Sequence, residues 1–134
     1  MIVRRREVLQ LRSDSDVVRT RQAVRSMCGD AGFSLVDQTK MVTAASELAR
    51  NTIIHGHGGT ASLELLEDPP RRGVRLVFED QGPGIIDISR ALQDGYTTGK
   101  GMGLGLGGSR RLVSEFDVVS TPGAGTRVTA IRWR

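Results

Sequence analysis

Residues 79–108 read EDQGPGIIDISRALQDGYTTGKGMGLGLGG and contain nine of the 17 glycines in this 134-residue chain. Glycine adds no side chain to a core and costs backbone entropy, so this density excludes an ordinary core segment. Backbone amides without side chains can cradle phosphate groups, and a helix that starts beside them adds unpaired N–H groups. The run Gly101–Gly108, which overlaps a helix predicted over Leu104–Glu115, therefore indicates a phosphate site.

Two well-known phosphate motifs nearly fit this stretch. Gly103, Gly105 and Gly108 satisfy G-x-G-x-x-G, but no strand directly precedes them, so a dinucleotide-binding fold is not expected. Residues 95–101 resemble a P-loop, but the spacing is one residue short and glycine replaces the Ser or Thr that would hold Mg²⁺.

An acidic residue, Asp80, ends the predicted strand Val74–Asp80 just before the glycine-rich region. Gly82 and Gly84 follow it, and glycines at this spacing allow a tight turn that a ligand can approach closely. A plain turn between secondary-structure elements has the same composition. The motif therefore indicates a ligand site only in combination with the neighbouring motifs.

Glu47 and Asn51 stand four residues apart in a predicted helix, so their side chains lie one above the other. Their face lies opposite the apolar stripe centred on Ala45 and Ala49. One interpretation is a solvated polar pair. The other is a carboxylate base beside an amide oxygen that binds Mg²⁺, a cation that prefers oxygen ligands.

The remaining sequence predicts an α+β domain. Strands are predicted over residues 2–11, 60–67, 74–80, 116–120 and 126–133. Helices are predicted after the cap residues 13–16, from Ser34 or Asp37 to Gly56, over residues 85–92, and over residues 104–115. Turns are predicted over residues 69–73 and 121–125. We expect a two-layer sandwich with a mixed, mostly antiparallel sheet, helices on one face, and a single domain over residues 1–134.

Composition restricts the partners and the compartment. The net charge is +4, but the arginines that supply it are scattered and not interleaved with aromatic residues, so nucleic acid is not expected as a partner. An acidic protein partner is a second interpretation. Cys28 is the single cysteine, which excludes an intrachain disulfide. Its neighbours Met27 and Val24 predict a buried helical position rather than a reactive thiol. His55 and His57 are interpreted as a helix-end pair, since further zinc ligands are missing.

With no long apolar run and no secretory signal, we expect a cytoplasmic protein without a membrane partner.

The order of these motifs resembles that of the GHKL ATPase superfamily, the Bergerat ATP-binding fold of gyrase, Hsp90, histidine kinases and MutL. Residues 47–51 (ELARN) resemble its N box, residues 80–84 (DQGPG) its first glycine box, and residues 101–106 (GMGLGL) its second. Residues 94–100 then correspond to the ATP lid, and residues 121–126 (TPGAGT) to the closing turn with an adenine-side threonine.

Within the superfamily, the strings SELARNTIIHG, EDQGPGI and STPGAGTRVTAIRW are most similar to the RsbT-type switch kinases and anti-sigma factors of bacterial partner-switching systems. The switch kinases phosphorylate a STAS-domain protein on serine or threonine. A dimerisation and phosphoacceptor helix pair is missing, which argues against a complete histidine kinase. The whole chain is expected to be catalytic domain.

The resemblance implies a role for each matching residue. Glu47 would be the general base, Asn51 would bind Mg²⁺, and Asp80 would accept a hydrogen bond from the adenine amino group. Gly82 and Gly84 would let the backbone pass close to the base, and Thr126 would assist through water. On the phosphate side, the resemblance implies that nucleotide is bound by Lys100, Gly101, Gly103, Leu104 and Gly105.

ATP and Mg²⁺ are the cofactors that follow from this resemblance, and a STAS-domain protein is the implied substrate. A PP2C-type phosphatase regulator and a sigma factor are further candidate partners. The alternative function is an anti-sigma factor that sequesters a sigma subunit and phosphorylates its anti-anti-sigma partner. A non-catalytic ATP-binding module is less favoured, because both Glu47 and Asn51 are present.

Overall fold

The computed structural model describes residues 1–93 and 105–134. Its described strands are β1 (Ile2–Leu11), β2 (Gly59–Asp68), β3 (Arg71–Asp80), β4 (Glu115–Thr121) and β5 (Gly125–Trp133). They form one sheet in the order β1-β2-β3-β5-β4. The described helices are α1 (Asp14–Asp30), α2 (Leu35–Ile54), α3 (Ile88–Ala91) and α4 (Gly105–Arg111).

The predicted α+β class is confirmed, and every pairing between the described strands is antiparallel. The sheet is therefore simpler than the mixed one expected. The β2–β3 turn is also shorter than predicted, because Asp68 still pairs with Arg71 and only Pro69 and Pro70 lie between the strands.

The two long helices begin where their local sequence provides a cap. At α1, the Asp16 carboxylate accepts the backbone N–H groups of Arg12 at 2.8 Å and Ser13 at 3.2 Å. At α2 the cap is Ser34 rather than Asp37, since the Ser34 hydroxyl oxygen accepts the Asp37 N–H at 3.2 Å. Each cap satisfies donors that have no partner within the helix.

The core lies between the helices and one face of the sheet. Residues that alternate along the strands come into register across it, so that Leu63, Leu76 and Ala130 lie side by side on three neighbouring strands. They pack in one buried cluster with α2 residues that include Ala45 and Leu48. The apolar stripe of α2 therefore faces the sheet, as its spacing predicts.

Cys28 belongs to this core and has no exposed surface, as predicted. Burial raises the pKa of its thiol to about 12, because the thiolate would lose its hydration. At neutral pH the Cys28 side chain is a small apolar group rather than a nucleophile.

The predicted helix over residues 104–115 is too long at its C-terminal end. Helix α4 ends at Arg111, and β4 already begins at Glu115. The Ser114 N–H donates to the Ile131 carbonyl at 2.8 Å, and the Arg132 guanidinium donates to the Leu112 carbonyl at 2.9 Å. Pairing with β5 therefore replaces the last helical turn.

In the described part of the chain, no helix combines the length and the apolar composition that crossing a membrane requires.

Candidate functional site

A cavity of about 550 Å³ lies between α2, the loop after β3, α3 and the start of α4. Cavities that bind small molecules usually have volumes of about 300–1,000 Å³. The cavity is lined by six of the residues that the sequence singled out: Glu47, Asn51, Asp80, Gly84, Gly105 and Thr126. Gly82 does not line it but contacts Asp80. Lys100, Gly101, Gly103 and Leu104, with the predicted lid over residues 94–100, lie outside the described residues.

Helix α2 forms one wall of the cavity. Glu47 and Asn51 both face it, so their side chains do not point into bulk solvent as the alternative interpretation required. The Glu47 side chain is only 13% exposed, and its Oε1 accepts a hydrogen bond from Arg50 Nη1 at 3.2 Å. This wall thus places a carboxylate, a guanidinium and an amide on one helical turn, where a proton acceptor and an oxygen ligand are both available.

The opposite wall is the end of the sheet. Asp80 is the last residue of β3, and its Oδ1 accepts the Gly82 N–H at 2.8 Å. Across the sheet, Asp80 pairs with Thr126 and Thr126 with Ser120. The hydroxyl oxygens of Thr126 and Ser120 are 2.8 Å apart, and the Ser120 hydroxyl also accepts the Ile85 N–H at 2.7 Å. Asp80 and Thr126 of this polar row line the cavity, and Ser120 lies behind them on the third strand.

The floor between these walls is apolar. It is formed by Phe78, Ile85, Leu106 and Val128, none of which is among the site residues predicted from the sequence. The alternation of a strand could have identified two of them, because Phe78 lies on the same face as Asp80, and Val128 on the same face as Thr126. A flat heteroaromatic group can pack on such a floor while a carboxylate at its edge accepts its donors.

Two predicted glycines have a packing role of their own. A Cβ on Gly84, where φ is +77°, would lie 2.4 Å from the Thr121 carbonyl oxygen. A Cβ on Gly82 would lie 2.7 Å from the Cα of Gly56. Both glycines therefore allow protein segments to meet at the cavity rim. Contact of either one with a nucleotide base stays a prediction.

The donor set of the site fits Mg²⁺ that enters with a phosphate ligand. Mg²⁺ usually keeps several waters and takes one or two protein ligands together with substrate phosphates. Asn51 can supply one such oxygen. Among residues 1–93 and 105–134, no group of three or more His, Cys, Asp or Glu side chains is arranged to hold a metal ion.

Sequence comparison identifies relatives along nearly the whole chain. Residues 36–134 match the family model of histidine kinase-, DNA gyrase B-, and HSP90-like ATPases. The serine/threonine-protein kinase RsbT of Bacillus subtilis is 40% identical over 125 residues, which cover 93% of this chain and 94% of that protein. The anti-sigma F factor of Pasteuria penetrans is 30% identical over 122 residues, covering 84% of this chain and 79% of that protein.

Solved structures share the fold. The RsbU and RsbW domains of a Mycobacterium tuberculosis protein match with a TM-score of 0.66 at 19% identity. That match covers 97% of this chain, which spans 33% of the solved chain. The mycobacterial sensor histidine kinase MprB matches with a TM-score of 0.57 at 17% identity, over 96% of this chain and 97% of that one. At these identities the likeness concerns the fold alone.

Proposed function

The chain belongs to the family of histidine kinase-, DNA gyrase B- and HSP90-like ATPases, and from this we propose that it is an ATP-dependent protein serine/threonine kinase of the RsbT kind. Its substrate is a STAS-domain protein of a cytoplasmic partner-switching pathway, and residues 1–134 act as one ATP-binding kinase domain. The observation that carries this proposal is the 40% identity to RsbT over 94% of that protein's length.

In the proposed reaction, a substrate hydroxyl attacks the terminal phosphorus of ATP. A new oxygen–phosphorus bond forms, the bond to the bridging oxygen of ADP breaks, and Glu47 accepts the hydroxyl proton. Its geometry supports this role, because the carboxylate faces the cavity and is largely shielded from solvent. A positioned general base typically contributes about 10²–10⁴-fold to the rate.

ATP binding is assigned to both walls of the cavity. Asp80 accepts a hydrogen bond from the adenine amino group, with Thr126 assisting through water, while the base rests on the apolar floor. Asn51 contributes an oxygen ligand to Mg²⁺, which neutralises phosphate charge when bound. Gly101, Gly103, Leu104 and Gly105 complete the phosphate side, with Lys100 adding charge. In this proposal the protein contributes mainly orientation and electrostatic complementarity.

The direct test is phosphoryl transfer. The purified protein is incubated with γ-labelled ATP, Mg²⁺ and each STAS-domain protein encoded beside it. We expect label on one of them, on a serine or threonine, and none when that residue is changed to alanine. If none of the STAS proteins is labelled although ATP binds, the proposed substrate class is wrong.

A second candidate function is an anti-sigma factor, which the anti-sigma F factors among the relatives favour. Phosphotransfer does not separate the two functions, because the alternative also includes a kinase activity. Affinity capture with the tagged protein does. A STAS protein and a PP2C-type phosphatase regulator as bound partners support the switch kinase, and a sigma subunit supports the anti-sigma factor.

A further inference from the structure

Gly56, the second residue after α2, packs directly against the side chain of Asp80. A Cβ on Gly56 would lie 2.3 Å from Asp80 Cγ and 2.5 Å from Asp80 Oδ2. Unbonded carbon atoms normally stay about 3.5–4.0 Å apart. The backbone of Gly56 is not in the left-handed region, so its conformation does not require glycine. The contact with Asp80 does require glycine at this position.

Gly82 restrains the same carboxylate from a second loop. Its N–H donates to Asp80 Oδ1 at 2.8 Å, and a Cβ on Gly82 would lie 2.7 Å from the Cα of Gly56. The two glycines therefore touch each other as well as Asp80. One holds Oδ1 by a hydrogen bond, and the other limits where Oδ2 can move.

Gly56 is itself fixed by the last turn of α2. Its N–H donates to the Thr52 carbonyl at 3.1 Å, and the preceding N–H, of His55, donates to the Asn51 carbonyl at 2.9 Å. The residue that packs on Asp80 thus lies two positions beyond the end of the helix that carries Glu47 and Asn51, and it is hydrogen-bonded to the last turn of that helix. Any shift of this helix end changes the space left for the carboxylate.

We propose that Gly56 is a positioning residue that orients the Asp80 carboxylate toward adenine and thereby determines the nucleotide specificity of the site. The inference rests on the proposed adenine contact of Asp80. A hydrogen bond weakens steeply when its atoms leave a narrow range of distance and angle. An added methyl group at Gly56 would force the carboxylate out of that range.

The competing explanation is that Gly56 only terminates α2, as glycine often does at a helix end. In that case alanine would disturb the whole helix end and weaken the binding of every nucleotide. A positioning role predicts a loss that depends on the adenine amino group. Inosine triphosphate, which has an oxygen in place of that amino group, separates the two explanations.

The experiment compares the binding of Mg²⁺–ATP and Mg²⁺–inosine triphosphate to the wild type and to Gly56→Ala, by competition with a fluorescent ATP analogue. We expect ATP affinity to fall about tenfold to a hundredfold, as for the loss of a hydrogen bond to a charged group. Inosine triphosphate affinity should stay unchanged, so that the preference for ATP disappears. The matched control is Gly29→Ala, because a Cβ at Gly29 meets nothing within 4 Å.

Equal losses for both nucleotides, or an unchanged ATP affinity, would overturn the positioning role. If the wild type itself binds both nucleotides equally, the proposed adenine contact of Asp80 fails instead. Should Gly56→Ala not fold, it is combined with Asp80→Gly, which removes the side-chain atoms that the new Cβ would strike. The double variant should then bind both nucleotides as Asp80→Gly does alone, and a further loss would again contradict the proposal.

Discussion

The two walls of the cavity are built in different ways. At the α2 wall, Glu47, Arg50 and Asn51 come from a single helical turn. The chemical groups of these side chains, rather than close packing around them, define this wall. At the sheet wall, Asp80 and Thr126 come from different strands and are held in place by close backbone contacts. Substitution of Glu47 at the α2 wall should therefore change the chemistry alone, whereas substitutions at the sheet wall should change nucleotide binding or stability.

The largest effect is expected at the α2 wall. Glu47→Ala should lower phosphotransfer about 10²–10⁴-fold, because it removes the proposed base. ATP affinity should stay close to that of the wild type, since the adenine and metal contacts remain. Labelled-ATP transfer assays and equilibrium binding measure the two quantities. Full phosphotransfer activity in this variant would refute the assignment of Glu47 as the base.

At the sheet wall, Asp80→Asn should weaken ATP binding about tenfold to a hundredfold. The asparagine oxygen can still accept the Gly82 N–H, but its NH₂ group then faces the adenine amino group, and two donors cannot pair. Isothermal titration gives the affinity, and a thermal melt verifies that the fold is intact. An ATP affinity equal to that of the wild type would exclude the proposed adenine contact.

The close contacts of the sheet wall can be tested with two glycines of similar φ. Gly84 and Gly123 both have positive φ, +77° and +82°, but only a Cβ at Gly84 collides with a neighbour. Gly123→Ala should cost about 1–2 kcal/mol of unfolding free energy from backbone strain. Gly84→Ala should cost about 1–3 kcal/mol more from overpacking. Urea unfolding measures both, and equal losses would mean that the wall tolerates the added methyl group.

The smallest effect is expected at Cys28, which reports on the core behind both walls. Burial raises its pKa to about 12, so it should stay protonated and unreactive toward iodoacetamide in the native protein between about pH 7 and pH 9, where an ordinary thiol near 8.5 ionises. Since the folded pKa exceeds the unfolded one, the thiol's contribution to stability is complete below the unfolded pKa and declines as pH rises toward the folded value.

Alkylation of Cys28 also tests the difference between the walls. Its rate, followed by mass spectrometry, should be unchanged in Glu47→Ala and faster in Gly84→Ala, because destabilisation increases the population of opened molecules. A similar increase in both variants would show that the α2 wall also contributes to stability.

The sequence predicted most of the fold from local signals. The long helices, their caps and the five strands follow from periodicity and from short polar residues. The error at the end of α4 arises because a distant segment competes with a local preference. Residues 112–115 favour a helix on their own, but Ser114 pairs with Ile131 of β5. A pattern within one window cannot contain that partner.

The features of the candidate site also fall into two groups, those that the sequence determined and those that only the tertiary structure decided. That Glu47 and Asn51 share one face was decided by the sequence, because a spacing of four residues in a helix needs no other information. The glycine excess likewise marked a segment that can approach its neighbours through its backbone rather than through side chains. Only the tertiary structure decided that this polar face borders a cavity and that Phe78 and Val128 form its floor. It also decided that Gly56 touches Asp80, because that contact joins segments whose distance in space depends on how the helix layer packs on the sheet.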